Sequence, residues 1–242
     1  MPRLNDGTEL WKALTDLSAY RIAAAGGDTV LTAAVVLPGV ASVSVSATTG
    51  FASLDPVAIV GTGGVELNTI GGAPALAMPL KYKTAFAHAV GARFVELASA
   101  ALGHLEEGGI AVDPSMDQIA INSAIASGPV AYMIASGELK FGFGLLGFNG
   151  PNWQFWTGTP ELETGAGTAA DPYQVGIGVS TMGTEGLMVL RGSGFLQNGK
   201  NVFVDFCNAR VSPTGGLKIN RKDAAILPCQ VSCTNIVVRI GV

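Results

Sequence analysis

The sequence predicts a mainly β (α+β) chain, a β-sandwich or barrel-type domain with an N-terminal helix, one flanking helix and long loops. Three observations predict it. Apolar residues alternate with small polar ones in short runs, as in Val43-Ser44-Val45-Ser46. Glycines, 33 of them, and prolines punctuate these runs with turn chemistry. Two longer segments instead space their apolar residues three and four apart, the period of an amphipathic helix.

The first of those segments covers residues 8–25. Leu10, Leu14, Leu17 and Ile22 recur at helical spacing, Thr8 is a candidate N-cap with Trp11 behind it, and Gly26-Gly27-Asp28 ends the pattern. Residues 31–37 are dense in Val and Leu, Pro38-Gly39 is a turn or bulge, and Val40, Val43 and Val45 then present one packed face opposite serines. Residues 47–80 are rich in Gly, Ala and Thr. Short strands are expected at 56–60 and 64–67, with turns at Thr62-Gly-Gly and Ile70-Gly-Gly-Ala-Pro. A loop this long with little regular structure usually binds something or moves.

Residues 82–107 form the second expected helix, with Phe86, Ala89, Val90, Phe94, Leu97, Ala98 and Leu102 on its apolar stripe and Gly108-Gly109 as its stop. His88, Arg93, Glu96 and His104 share this segment. Beyond it the pattern is β: strands are expected at 118–122, 130–135, 139–148, 173–179, 185–190, 201–211 and 226–242. A polar connection over 151–172 carries Trp153, Phe155 and Trp156. There is no internal repeat, and the chain reads as one domain, 1–242, with an enlarged loop or insertion around 108–185.

Hydrophobic residues make up 48% of the 242 positions and charged residues only 13%. Soluble domains carry about 25% charged residues, so much of this chain's outside is expected to be covered. A membrane is the poorer cover. No run of about 18 uninterrupted apolar residues exists, and the apolar stretch 84–102 holds His88, Arg93 and Glu96. The start, Met1-Pro-Arg-Leu-Asn-Asp, is polar and does not read as a signal peptide. A net charge of −4 argues against affinity for nucleic-acid backbone, which needs clustered Lys and Arg. The nearest approach to a basic cluster is Lys218, Arg221 and Lys222, read as a solvated turn. These totals point to neighbouring subunits as the cover.

Catalytic patterns are absent. The chain has no phosphate-binding Gly-x-x-x-x-Gly-Lys, no complete dinucleotide fingerprint and no nucleophile elbow. Cys207, Cys229 and Cys233 make an odd set with no histidine near them in sequence, so no metal and no cofactor is expected. Glu161 and Glu163, close to Trp153 and Trp156, leave a carbohydrate-active reading open, because paired carboxylates cleave glycosides and sugars stack on aromatics. The competing reading is an interface loop anchored by those aromatics. The expectation is a structural protein and no enzyme.

The segment from Asn201 to Cys233 is the most distinctive. It reads Val-Phe-Val-Asp-Phe-Cys-Asn-Ala-Arg-Val, a Ser-Pro-Thr-Gly-Gly turn, Leu-Lys-Ile-Asn-Arg-Lys-Asp, then Ala-Ala-Ile-Leu-Pro-Cys-Gln-Val-Ser-Cys. This resembles the closing hairpin of the tail tube proteins of long-tailed bacteriophages and related contractile injection systems. The family has no invariant catalytic-style motif, and residues 108–185 depart from a minimal tube subunit. The resemblance implies a structural virion protein, made in the host cytoplasm, whose hexameric rings stack into the tail tube that conducts DNA. It implies tape measure, tail terminator and tail tip proteins as partners, DNA passing without specific binding, and no membrane insertion. Trp153, Phe155, Trp156, Leu67 and Ile70 are the candidate inter-subunit contacts. Capsid decoration or head–tail joining is the nearest alternative, and a β adhesin is a more distant one.

Overall fold

The computed structural model describes residues 14–106, 110–122, 129–146, 162–164, 168, 170–171, 174–176, 188–196, 199–214 and 226–241. Among them every regular element is a strand. In chain order these are β1 (Leu14–Ile22), β2 (Asp28–Val30), β3 (Ser42–Ser44), β4 (Pro56–Gly61), β5 (Gly64–Thr69), β6 (Ala77–Pro79), β7 (Arg93–His104), β8 (Ala111–Asn122) and β9 (Pro129–Leu146). There follow β10 (Leu162–Thr164), β11 (Gln174–Gly176), β12 (Met188–Phe195), β13 (Asn201–Cys207), β14 (Arg210–Pro213), β15 (Ile226–Cys233) and β16 (Asn235–Ile240).

The larger sheet runs β16-β13-β12-β1-β7-β4-β5, with β2 beside the start of β7. It is antiparallel throughout and curls into a nearly closed barrel, because β5 and β16 at its two ends approach each other. A second antiparallel sheet, β14-β15-β9-β8, covers part of its outer face. Strand β15 shows the simplest sandwich pattern: Leu227, Cys229, Val231 and Cys233 are buried and the residues between them are not. They meet Leu17, Phe141, Leu190, Val204 and Phe206 in the largest core, where the Phe141 and Phe206 rings lie 4.6 Å apart.

Two other cores complete the packing. One fills the barrel, with Ala58, Val65, Leu67, Val95, Leu97, Val189, Cys207 and Val237. The other lies outside β4 and β7, where Leu31, Val35, Val43, Val45, Met78 and Leu80 from the 31–80 excursion cover Val57, Ile59 and Phe94. The central strands are therefore buried on both faces.

That double burial corrects both expected helices. Residues 14–22 and 93–104 are strands, and residues 81–92 between β6 and β7 form an irregular strap. In β1 a bulge falls between Leu14 and Asp16, so Leu14 and Leu17 reach the same core although three residues apart. In β7, Phe94 enters the outer core, Leu97 the barrel and Leu102 the sandwich core. Apolar residues serving three cores imitate a single helical stripe. The short strands expected at 56–60 and 64–67 are present as β4 and β5. The run expected at 201–211 breaks at Asn208, which takes a positive φ of 51°, and the run at 226–242 breaks at Thr234. Within 108–185, β9 pairs with β15 and so belongs to the second sheet.

Phe206 is 1% exposed at the centre of the sandwich core. Phe206→Ala is expected to lower stability by about 3–5 kcal/mol, read as a drop in the urea midpoint with an unchanged slope.

Candidate functional site

The site is the seam where the barrel closes without a backbone ladder. Strands β5 and β16 end the sheet order, yet backbone groups of β5 are taken by side chains and by the backbone of Lys81. Asn235 Nδ2 donates to Val65 O at 2.6 Å, and Asn235 Oδ1 accepts from Val65 N at 3.2 Å, so one amide imitates a strand. Arg239 Nη2 donates to Leu67 O at 2.8 Å. Lys81 N donates to Thr69 O at 2.8 Å, and Thr69 N donates to Asn68 Oδ1 at 2.8 Å.

Arg239 brings a charge into the barrel, and two neighbouring strands supply its company. Arg191 on β12 stands directly opposite Asp205 on β13, and Phe203, two residues from Asp205, stands opposite Arg239. Arg191 Nε and Nη2 donate to Asp205 Oδ1 and Oδ2 at 2.6 and 2.9 Å, a bidentate fork. Arg239 Nη1 donates to the same Oδ2. Asp205 is 0% exposed, and the arginines are 8% and 9% exposed. Two guanidiniums on one carboxylate leave a surplus positive charge, which faces aromatic rings. Arg191 lies 4.9 Å from the Phe203 ring centre and 5.8 Å from that of Tyr20, and Arg239 lies 5.2 Å from that of Tyr82.

Burial works against the charge on Arg191, but the bonds and field of Asp205 outweigh it and raise its affinity for the proton above the ordinary value. Burial pushes the Tyr20 hydroxyl up, and Arg191 offsets part of that. Burial also pushes up the Cys207 thiol, with Asp205 adding to it, and pushes the Cys229 thiol up to about 12. The cluster is a brace, and its geometry sets no nucleophile against a base. Among the described residues, no group of three or more His, Cys, Asp or Glu is placed to hold a metal ion, and no helix is long and apolar enough to cross a membrane.

The other face of β5 grips the strap. Asn68 and Glu66, both 0% exposed, point to the outer core. Asn68 Oδ1 accepts from Tyr82 N at 3.1 Å, and Asn68 Nδ2 donates to Tyr82 O at 2.8 Å. Glu66 Oε2 accepts from the amides of Ala85 and Phe86 at 2.5 and 3.2 Å. The strap lies so close to the β4–β5 turn that a Cβ on Gly63 would stand 2.1 Å from Ala87 O, which is why that position is glycine.

The expected contact residues fall elsewhere. Leu67 and Ile70 are 0% exposed in the chain's own cores, so their side chains have no surface to offer a neighbour. Leu67 lies in the strand expected at 64–67, with its side chain turned into the barrel, and Ile70, expected in a turn, bridges to Leu80. Trp153, Phe155, Trp156, Glu161 and the basic residues 218–222 lie outside the described residues. Of the charged residues expected on one helix, Arg93 pairs with exposed Asp28 at 2.7 Å and His104 with exposed Asp16 at 2.7 Å, each on the rim of the sheet. The sequence reading passed over Arg191, Asp205 and Arg239. Their signal was legible: each is a lone charge inside an apolar run, Val-Leu-Arg, Phe-Val-Asp-Phe and Val-Val-Arg-Ile, with opposite signs on offer.

Asp205→Asn, which leaves two buried guanidiniums without their carboxylate, is expected to destabilise the fold by about 3–5 kcal/mol in urea unfolding. Asp28→Asn, at the exposed pair with Arg93, is expected to change it by under about 1 kcal/mol. None of the three cysteines is in a disulfide, and all three are buried. A disulfide reagent at pH 8 is therefore expected to find no rapidly reacting thiol in the folded chain and three after denaturation. No model of a known protein family matches this chain, and no curated protein shows significant similarity to it.

Proposed function

We propose that this chain is a structural virion protein that self-assembles into stacked hexameric rings, the tail tube of a phage, through which DNA is ejected. The β8–β9 ribbon carries the reading. Residues 139–146 of β9 pair with β15, but, among the described residues, 129–138 have only β8 beside them. At about 3.3 Å per residue, that is roughly 30 Å of two-stranded ribbon. A ribbon of two strands is marginal in water by itself, and copies of the same chain laid alongside would cover it.

Surface chemistry supports the same reading. Val36, Leu37, Leu54, Leu76, Val90 and Phe195 are each more than 60% exposed, in a chain with only 13% charged residues. On this reading these side chains lie in contacts between copies. The barrel-like sheet and the C-terminal β14–β15 hairpin fit the resemblance of residues 201–233 to tail tube proteins. On this reading the protein resides in the virion tail and meets tape measure, terminator and tail tip proteins. The negative net charge favours a lumen that repels DNA.

Negative-stain electron microscopy and sedimentation velocity of the purified protein test the proposal. Rings with an axial lumen, stacking into tubes, are expected. A strict monomer at high concentration overturns it, and compact trimers would replace it with the capsid-decorating reading. Deletion of residues 119–133 is expected to leave a folded chain that no longer forms rings.

A further inference from the structure

Glu66 and His88 form a buried pair that the barrel seam does not use. Both side chains are 0% exposed, and Glu66 Oε1 lies 3.7 Å from His88 Nε2. That is ion-pair distance and too long for a hydrogen bond. Glu66 Oε1, His88 Nδ1 and His88 Nε2 all lack hydrogen-bond partners, whereas Glu66 Oε2 is spent on the amides of Ala85 and Phe86. Buried polar atoms without partners are rare in folded proteins, and each is costly.

We propose that His88 and Glu66 form a proton-operated latch, which closes as a charge-assisted bond when the imidazole carries both protons and loosens residues 84–92 from β5 when the ring is neutral. Closure needs only a shift of several tenths of an ångström. The cation then meets a carboxylate at a site shielded from bulk solvent, where the attraction is less weakened. Glu66 is the only charged group within ion-pair distance of His88 among the described residues. The other elements around the ring present neutral groups. Gly61 of β4 and Ala92 of the strap lie near it, and Val35 exchanges backbone bonds with His88 at 2.8 and 2.9 Å.

The latch has something to hold. Through the Val35–His88 bridge it ties the strap to the loop carrying Val36 and Leu37, 77% and 73% exposed, while Val90 on the strap is 63% exposed. Protonation of the ring tightens this apolar rim and loss of the proton frees it. The device stands independently of what the rim contacts.

Amide exchange on the full chain at pH 5.5 and pH 8, corrected for the intrinsic pH dependence of exchange, reads the latch directly. The amides of Ala85, Phe86 and His88 are expected to be at least about threefold better protected at pH 5.5, and His88→Gln is expected to abolish the difference. A smaller or reversed difference in the unmodified chain, or a difference that survives His88→Gln, overturns the proposal. Should that variant not fold, the ring nitrogen shifts of His88 in the unmodified chain decide. An imidazolium at pH 5.5 that turns neutral by pH 8 supports the latch, and a neutral ring throughout overturns it.

Discussion

The Asp205 carboxylate is the constraint on which the rest of the structure depends. It sits wholly buried inside a curled sheet, one strand from the edge strand β16. It receives Arg191 from the strand on one side and Arg239 from the strand on the other. A buried ion pair is not stabilising in itself, because removing charges from water costs several kcal/mol per ion. What it imposes is register. A slip of one residue in β13 would turn Asp205 toward the sandwich core and strand both arginines in the barrel. The triad therefore selects one pairing among several that the apolar residues of β12, β13 and β16 would otherwise tolerate.

The same arginine links register to closure. Arg239 spans from Asp205 to Leu67 O, across the gap where β16 and β5 share no ladder. Asn235, four residues earlier and on the same side of β16, does the equivalent for Val65. Side chains can bridge strands that diverge too far for a continuous ladder, so the barrel closes without the strict stagger that backbone closure demands. Strand β5 is then occupied on every side. Its edge is capped from β16, its barrel face carries Val65 and Leu67, and its outer face carries Glu66 and Asn68 to hold the strap. An otherwise exposed strand edge is thereby removed from uncontrolled pairing.

The legible part of the fold follows from this arrangement. Where a strand has one face in a core and one toward solvent, as in β15, alternation announces it, and the two-residue β4–β5 turn with its glycines was equally plain. Strands buried on both faces gave no such period. The alanines of β7, at 98, 100 and 101, read as helix formers because nothing in a single sequence says that the strand passes from one core to the next. The triad was invisible to a search for clustered charges because its members are separated by up to 48 positions (191 to 239) and meet only through the ladder. Lone charges in apolar strands are the feature that would have exposed it.

Closure at the seam also shapes how the chain can meet copies of itself. A sheet with two bare edges would pair with any strand offered. Here the larger sheet ends in side-chain bridges, whereas the smaller sheet ends in β14 on one side and β8 on the other and extends into the β8–β9 ribbon. Backbone pairing is thus directed away from the barrel and toward the second sheet, while the barrel side presents isolated apolar side chains such as Leu37 and Val90. Contacts through such side chains are less directional than strand pairing and rely on shape. In the proposed assembly the strand edges and the apolar rim would be unlike surfaces, and contacts between unlike surfaces make rings when the rotation closes and filaments when it does not.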